Sequence, residues 1–257
     1  AVGAGIAWAL DNFGSRLGDF GVFLFVLGAW VMSVCLHEFA HAYAAYRAGD
    51  TSVEARGYLT LNPFRYTHPF LSIILPLVAI VGGGFALPGG AVYLHPHTFR
   101  SRAQRSLAAA VGPLTNVVFA VALILLAKSQ ITMAGGVPVL GTVNGFGLTS
   151  TDHLRFWSAV AFLGLLQLTA AVLNLLPVPG LDGYAIIEPY LDPETVRVGE
   201  RVKPWGLLLV IVLLLYVRQL KTVFFDLVNA IYRGIGGDSH LASYGYEFFR
   251  WWTKNPL

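Results

Sequence analysis

The chain has 257 residues, of which 56% are hydrophobic and only 12% charged, with a formal net charge of +3. A charged share about half that of a soluble domain excludes an ordinary water-soluble globule and points to membrane embedding. The basic residues are scattered, which argues against a nucleic-acid-binding stripe, and the single Cys35 excludes an internal disulfide.

Residues 1–10 are apolar but have no basic leading region, so a signal peptide is not expected there. A helix needs roughly 20 residues to cross the hydrocarbon core. Residues 20–47 supply a first crossing that ends at Gly49-Asp50, with Cys35 as a packing residue within it. Residues 51–62 carry Val53, Tyr58, Leu59 and Leu61, which predict a short strand.

Residues 71–84 are apolar but too short to span, contain Pro76 and run into Gly82-Gly83-Gly84, then Pro88-Gly89-Gly90. Irregular backbone at membrane depth survives only where protein or a wet cavity satisfies its polar groups. The expected form is a short re-entrant helix returning as a loop that ends near His95. Ala91, Val92, Tyr93 and Leu94 predict a second short strand.

Residues 106–128 and 156–176 supply the second and third crossings, with a glycine-rich outer loop at 133–152. Pro204 starts a last helix whose apolar part, 205–217, is short for a span. Either it continues to Tyr232 with Arg218 and Lys221 reaching outward, or it breaks near Gln219 into two short helices. The aromatic tail at 244–252 fits an interfacial belt.

The fold class expected is an all-α polytopic membrane protein. It has about four full crossings, a re-entrant helix and loop, and small β elements. Residues 1–257 form a single membrane-embedded domain, with a core at about 20–190 and a C-terminal helix and tail at about 204–257. Lys and Arg in short loops mark the cytoplasmic side. Arg47, Arg56, Arg65, Arg100, Arg102, Arg105, Arg197, Arg201 and Lys203 fall together on one side. Before the last helix, only Arg16, Lys128 and Arg155 fall on the other.

Within the first crossing stands His37-Glu38-Phe39-Ala40-His41. Residues four apart share a helix face, so both imidazoles reach one metal ion while Glu38 stands beside it. A catalytic zinc usually takes three protein ligands and keeps one position for water. His68, His95, His97, His153 and His240 lie in loops or far along the chain and are poor candidates for the third. Asp182 is better placed, in Asn174-Leu175-Leu176-Pro177-Val178-Pro179-Gly180-Leu181-Asp182-Gly183 after the uncharged third crossing. An ionised acid at that depth needs a compensating cation. Read alone, Asp182 fits equally as a cap for a short helix starting near Gly183.

The helix motif, Gly112-Pro113-Leu114-Thr115-Asn116 and residues 174–183 together resemble the site-2 protease family of intramembrane zinc metalloproteases. Arg47-Ala48-Gly49-Asp50 and Leu59-Thr60-Leu61-Asn62-Pro63 resemble its compact bacterial branch, which has no appended PDZ or CBS domain. The resemblance implies one zinc ion on His37, His41 and Asp182, with Glu38 as catalytic glutamate. It also implies a conserved amide at Asn116. Transmembrane protein substrates in a prokaryotic inner membrane are implied as partners, and the basic-residue topology puts the site toward the cytoplasmic side. The family's substrate-receiving loop corresponds to residues 85–94.

Asn116 is then either a donor to the developing oxyanion or a helix–helix hydrogen-bonding residue, and Asn174 either supports packing or contacts substrate. Glu188, before Pro189, is expected to satisfy a helix end or pair with an arginine. The competing functional reading is a catalytically silent membrane scaffold, or a subunit of a larger complex that retains the metal site. Such a protein has no need of Glu38.

Overall fold

The computed structural model describes residues 15–62, 98–129, 131–134, 137–140 and 153–253. In chain order they form α1 (Ser15–Ala48), α2 (Ser52–Ala55) and α3 (Arg102–Lys128). A hairpin of β1 (Ile131–Ala134) and β2 (Val137–Leu140) and then α4 (Leu154–Asn174) follow. The remainder is α5 (Asp182–Ile187), a 3-10 turn (Glu188–Tyr190), α6 (Pro193–Tyr216), α7 (Arg218–Ile235), α8 (Ser239–Phe249) and a 3-10 turn at Trp251–Thr253.

Among the described residues, α1, α3 and α4 are long and apolar enough to cross a membrane. Helices α6 and α7 meet at 99° across Val217, a fourth crossing if the pair forms one broken span. The predicted break near Gln219 therefore lies two residues earlier. Helix α6 also starts at Pro193 rather than at Pro204, which sits inside it. The reason is local: the Asp192 side chain accepts from the backbone N–H groups of Glu194 and Thr195, and proline follows at the first helical position.

The strand expected at 51–62 is instead the single turn α2 followed by a tight return. Asp50 accepts from both the backbone N–H and the hydroxyl of Ser52, which starts the turn. Tyr58 then donates its N–H back to the Val53 carbonyl at 2.9 Å. Val53 and Tyr58 are buried by this reversal, not by strand alternation. The hairpin at 131–140 lies partly in the stretch expected as outer loop, and pairs Ala134 with Val137 in antiparallel register. Gly135-Gly136 between the strands is the sequence signal for it. The expected re-entrant segment, the strand at 91–94 and His68, His95 and His97 lie outside the described residues.

The described residues form two compact units. One draws on residues up to 30, 119–167 and 229 onward. There the aromatic tail folds inward rather than forming only a surface belt. Phe249 is fully buried, with ring centroids 5.4 Å from Phe23 and 5.7 Å from Phe162. Tyr232 donates its hydroxyl to the Ala161 carbonyl at 3.2 Å, and Arg155 pairs with the buried Asp19 at 3.1 Å.

The other unit takes residues 31–118 and 168–228. Its core joins Cys35, Ala42, Ala45, Val53, Tyr58 and Ala108. Small side chains on α1 and α3 let the two backbones approach closely where lipid supplies little drive for association. Helix α1 ends cleanly at Gly49, whose φ of +115° is open to glycine. Gly49 N–H bonds to the Tyr46 carbonyl and Asp50 N–H to the Ala45 carbonyl, so the last carbonyls are satisfied.

Candidate metal centre

Every residue of the centre belongs to the second unit. The four-residue spacing of His37 and His41 on α1 turns both rings to one side. His37 Nδ1 donates to Asn116 Oδ1 at 2.8 Å, and His41 Nδ1 donates to the Ala108 carbonyl at 2.6 Å. Those two bonds fix the tautomers, because a ring nitrogen facing a pure acceptor must carry the proton. Each Nε2 is left with a lone pair, and the two Nε2 atoms lie 3.0 Å apart.

Asp182 completes the set. Its Oδ2 is 3.3 Å from His37 Nε2 and its Oδ1 is 3.5 Å from His41 Nε2. Three potential ligand atoms thus converge on one point, the arrangement that a bound cation satisfies. Bonds of about 2.0–2.1 Å in a tetrahedral site place ligand atoms about 3.3 Å apart, so the spacing fits a single zinc ion. Among the described residues, this is the one group of three such side chains, all ligand atoms within 4.8 Å of one another.

Asp182 is the first residue of α5, not its cap. Leu181 holds the N-cap position, and no side chain caps the helix. The capping alternative is therefore corrected: the carboxylate turns toward the imidazoles. With side-chain exposures of 7% and 8% for the histidines against 25% for Asp182, the centre is most open on the carboxylate side.

Gly112 makes room for the two rings. A Cβ on Gly112 would stand 2.1 Å from His41 Nε2 and 2.7 Å from His37 Nε2. Ala108, Gly112 and Asn116 recur every four residues, so one face of α3 supplies a carbonyl, a close backbone approach and an amide. For Asn116 the group that would donate to an oxyanion is the amide NH2, not the oxygen. Its amide oxygen is engaged by His37, the helix–helix alternative. Glu38 is buried at 2% exposure, next to His37 in the chain, and Asn174 is buried at the end of α4. His153 and His240 belong to the other unit. The Ala108 carbonyl was invisible in sequence, since any residue supplies one. Gly112 was quoted in the motif without its steric role.

The profile of peptidase family M50 matches residues 23–217. The chain belongs to peptidase family M50. This is the site-2 protease family that the motifs resemble. The Rip2 protein of Mycolicibacterium smegmatis, which bears a zinc metalloprotease name, is 46% identical over 253 residues, covering 98% of this chain and 90% of that protein. Rip2 of Mycobacterium tuberculosis is 43% identical with the same coverage. YwhC of Bacillus subtilis, also named for a zinc metalloprotease, is 32% identical over 78% of this chain and 84% of its own length. No solved structure gives a significant match. As an M50 peptidase with three membrane-length helices and bacterial relatives, the chain is an integral membrane protein acting on membrane-embedded substrates. Its donor set fits a zinc cofactor.

Proposed function

We propose that His37, His41 and Asp182 hold one zinc ion, and that Glu38 is the base of an intramembrane endopeptidase cutting in or near transmembrane segments of other proteins. The convergence of two Nε2 lone pairs and one carboxylate carries this reading. A zinc ion bound there lowers the pKa of a coordinated water toward neutrality and polarises the scissile carbonyl.

Glu38 takes the proton of the attacking water at its carboxylate and passes it to the leaving amide nitrogen. Asn116 and the Ala108 carbonyl hold the two rings in the tautomer that presents Nε2. Low exposure of His37, Glu38 and His41 excludes bulk water from the reacting atoms. A substrate helix must first surrender its internal hydrogen bonds, because a helix hides its carbonyls. Helix-breaking residues in the substrate therefore favour cleavage.

The clustering of arginines in the loops flanking this end of α1 and α3 supports a cytoplasmic-facing site. Residues 1–257 read as one membrane-embedded domain, with the catalytic core within about 20–190. The silent-scaffold reading leaves a carboxylate at position 38 without a task. The deciding experiment incubates the purified protein with a synthetic transmembrane peptide and measures bound metal in parallel. Wild type holds about one zinc and cleaves; Glu38→Gln holds as much zinc and loses cleavage by about 10²–10⁴-fold. Equal cleavage by both proteins removes Glu38 as the base.

A further inference from the structure

Helix α5 is six residues long, too short to hold its own position, so contacts outside it decide where Asp182 sits. Its far end runs into Glu188, which is buried at 5% exposure although it carries a charge. Glu188 Oε1 is ion-paired with Nη2 of Arg105 on α3, and Lys203 Nζ stands 3.9 Å from the other carboxylate oxygen. The neighbouring Ser106 donates its hydroxyl to the Ile186 carbonyl at 2.6 Å. Two consecutive residues of α3 thus grip the end of α5.

The spacing along α3 gives this grip its meaning. Arg105, Ala108, Gly112 and Asn116 follow at intervals of three, four and four, which places them in one stripe of the helix. Asn116 orients His37, Ala108 orients His41, and Gly112 lets the helix backbone approach both rings. The third ligand has no bond of its own to this stripe among the contacts described. Its link is through the rigid turn from Asp182 to Glu188, about 9 Å of helix rise.

We propose that Arg105 and Glu188 are a positioning pair that sets Asp182 at its distance from the two imidazoles, so that one stripe of α3 references all three metal ligands. The inference rests on the zinc reading above. Neither residue touches the ion; both act through Asp182. Lys203, 45% exposed, adds a second cation at longer range without replacing Arg105. Removing the Glu188 charge leaves Arg105 without its carboxylate and releases α5 at one end. The carboxylate of Asp182 is then no longer held where a tetrahedral site needs it.

The test measures zinc affinity of the full-length protein in detergent by competition with a chromophoric chelator, and the visible spectrum of the cobalt-loaded protein. Glu188→Gln is expected to weaken zinc binding by about 10–100-fold and to shift the cobalt bands. Arg105→Gln should do the same, while Arg105→Lys, which keeps the charge, recovers at least part of the affinity. If Glu188→Gln does not fold, the Arg105 pair of variants decides. Zinc affinity within threefold of wild type, with an unchanged cobalt spectrum, overturns the positioning role in Glu188→Gln or Arg105→Gln. A wild type that binds no zinc defeats the metallopeptidase reading itself, a separate result. Asp182→Ala serves as the reference for complete loss of the third ligand.

Discussion

His37 and Asn116 stand 79 positions apart in the chain, yet the imidazole Nδ1 donates to the amide oxygen at 2.8 Å with both groups buried. That bond fixes which nitrogen faces the metal, so Asn116 orients the ligand through its oxygen, and its NH2 is the group an oxyanion would use. Asn116→Ala is expected to weaken zinc binding by about 10–100-fold, the usual scale for a ligand's hydrogen-bond partner. Chelator competition measures it. A variant that keeps wild-type zinc affinity but loses turnover would favour the oxyanion role for Asn116.

Asp182→Ala removes one of three ligands and leaves two lone-pair nitrogens 3.0 Å apart. Metal and cleavage are expected to vanish together. Asp182→Glu, with its extra methylene, should retain weak binding. Zinc content after dialysis, read beside a circular-dichroism spectrum, separates ligand loss from unfolding. Undiminished zinc in Asp182→Ala excludes the carboxylate from the coordination set.

Protons and metal compete for the same Nε2 lone pairs, so lowering the pH must weaken binding and raising it must strengthen binding. Release of zinc in acid should be accompanied by net proton uptake by the ligand set. Titration calorimetry in buffers of different ionisation enthalpy measures that uptake. A chelator at neutral pH should abolish cleavage, and added zinc should restore it. Proton uptake near zero would mean that the histidines are not the ligands.

The metal set and the apolar helices were legible because their signals are local or sharply constrained. A His-Glu-x-x-His run in an apolar helix has few other uses, and beside it an isolated acid at matching depth pointed to Asp182. The predicted Arg partner of Glu188 is also observed, though the sequence did not say which arginine. What sequence missed depends on approach between distant backbones. The Ala108 carbonyl carries no side-chain signature, and the need for Gly112 arises only because α3 faces the rings. The strand expected at 51–62 failed because Asp50 bonds Ser52 and starts a helical turn, which outweighs a weak β pattern. The early start of α6 was hidden by its polar first turns, where Asp192 and Pro193 carried the signal.

Phe249 tests the packing of the C-terminal segment apart from the chemistry. It is fully buried against Phe23, Phe162 and Trp252. Phe249→Ala should destabilise the protein by about 3–5 kcal/mol through lost contacts and a residual cavity. Thermal unfolding in detergent should show a lower midpoint, with zinc affinity of the folded protein unchanged. A midpoint equal to wild type would place the tail outside the packed structure.

Gly112→Ala is the smallest change that strikes the centre. The added methyl carbon would lie 2.1 Å from His41 Nε2 and 2.6 Å from His41 Cε1, far inside van der Waals contact. The ring cannot simply turn away, because its Nδ1 is tied to the Ala108 carbonyl one turn earlier on the same helix. Alanine is also a better helix former than glycine by about 1 kcal/mol, so α3 itself should gain rather than lose. The expected result is therefore a folded, helical protein that purifies with little zinc and does not cleave, with a melting point somewhat lowered by the relieved clash and the missing metal. Metal content and the melting curve measured on one sample decide it. Full zinc occupancy in Gly112→Ala would mean that the two imidazoles do not need the close approach of this helix to hold the ion.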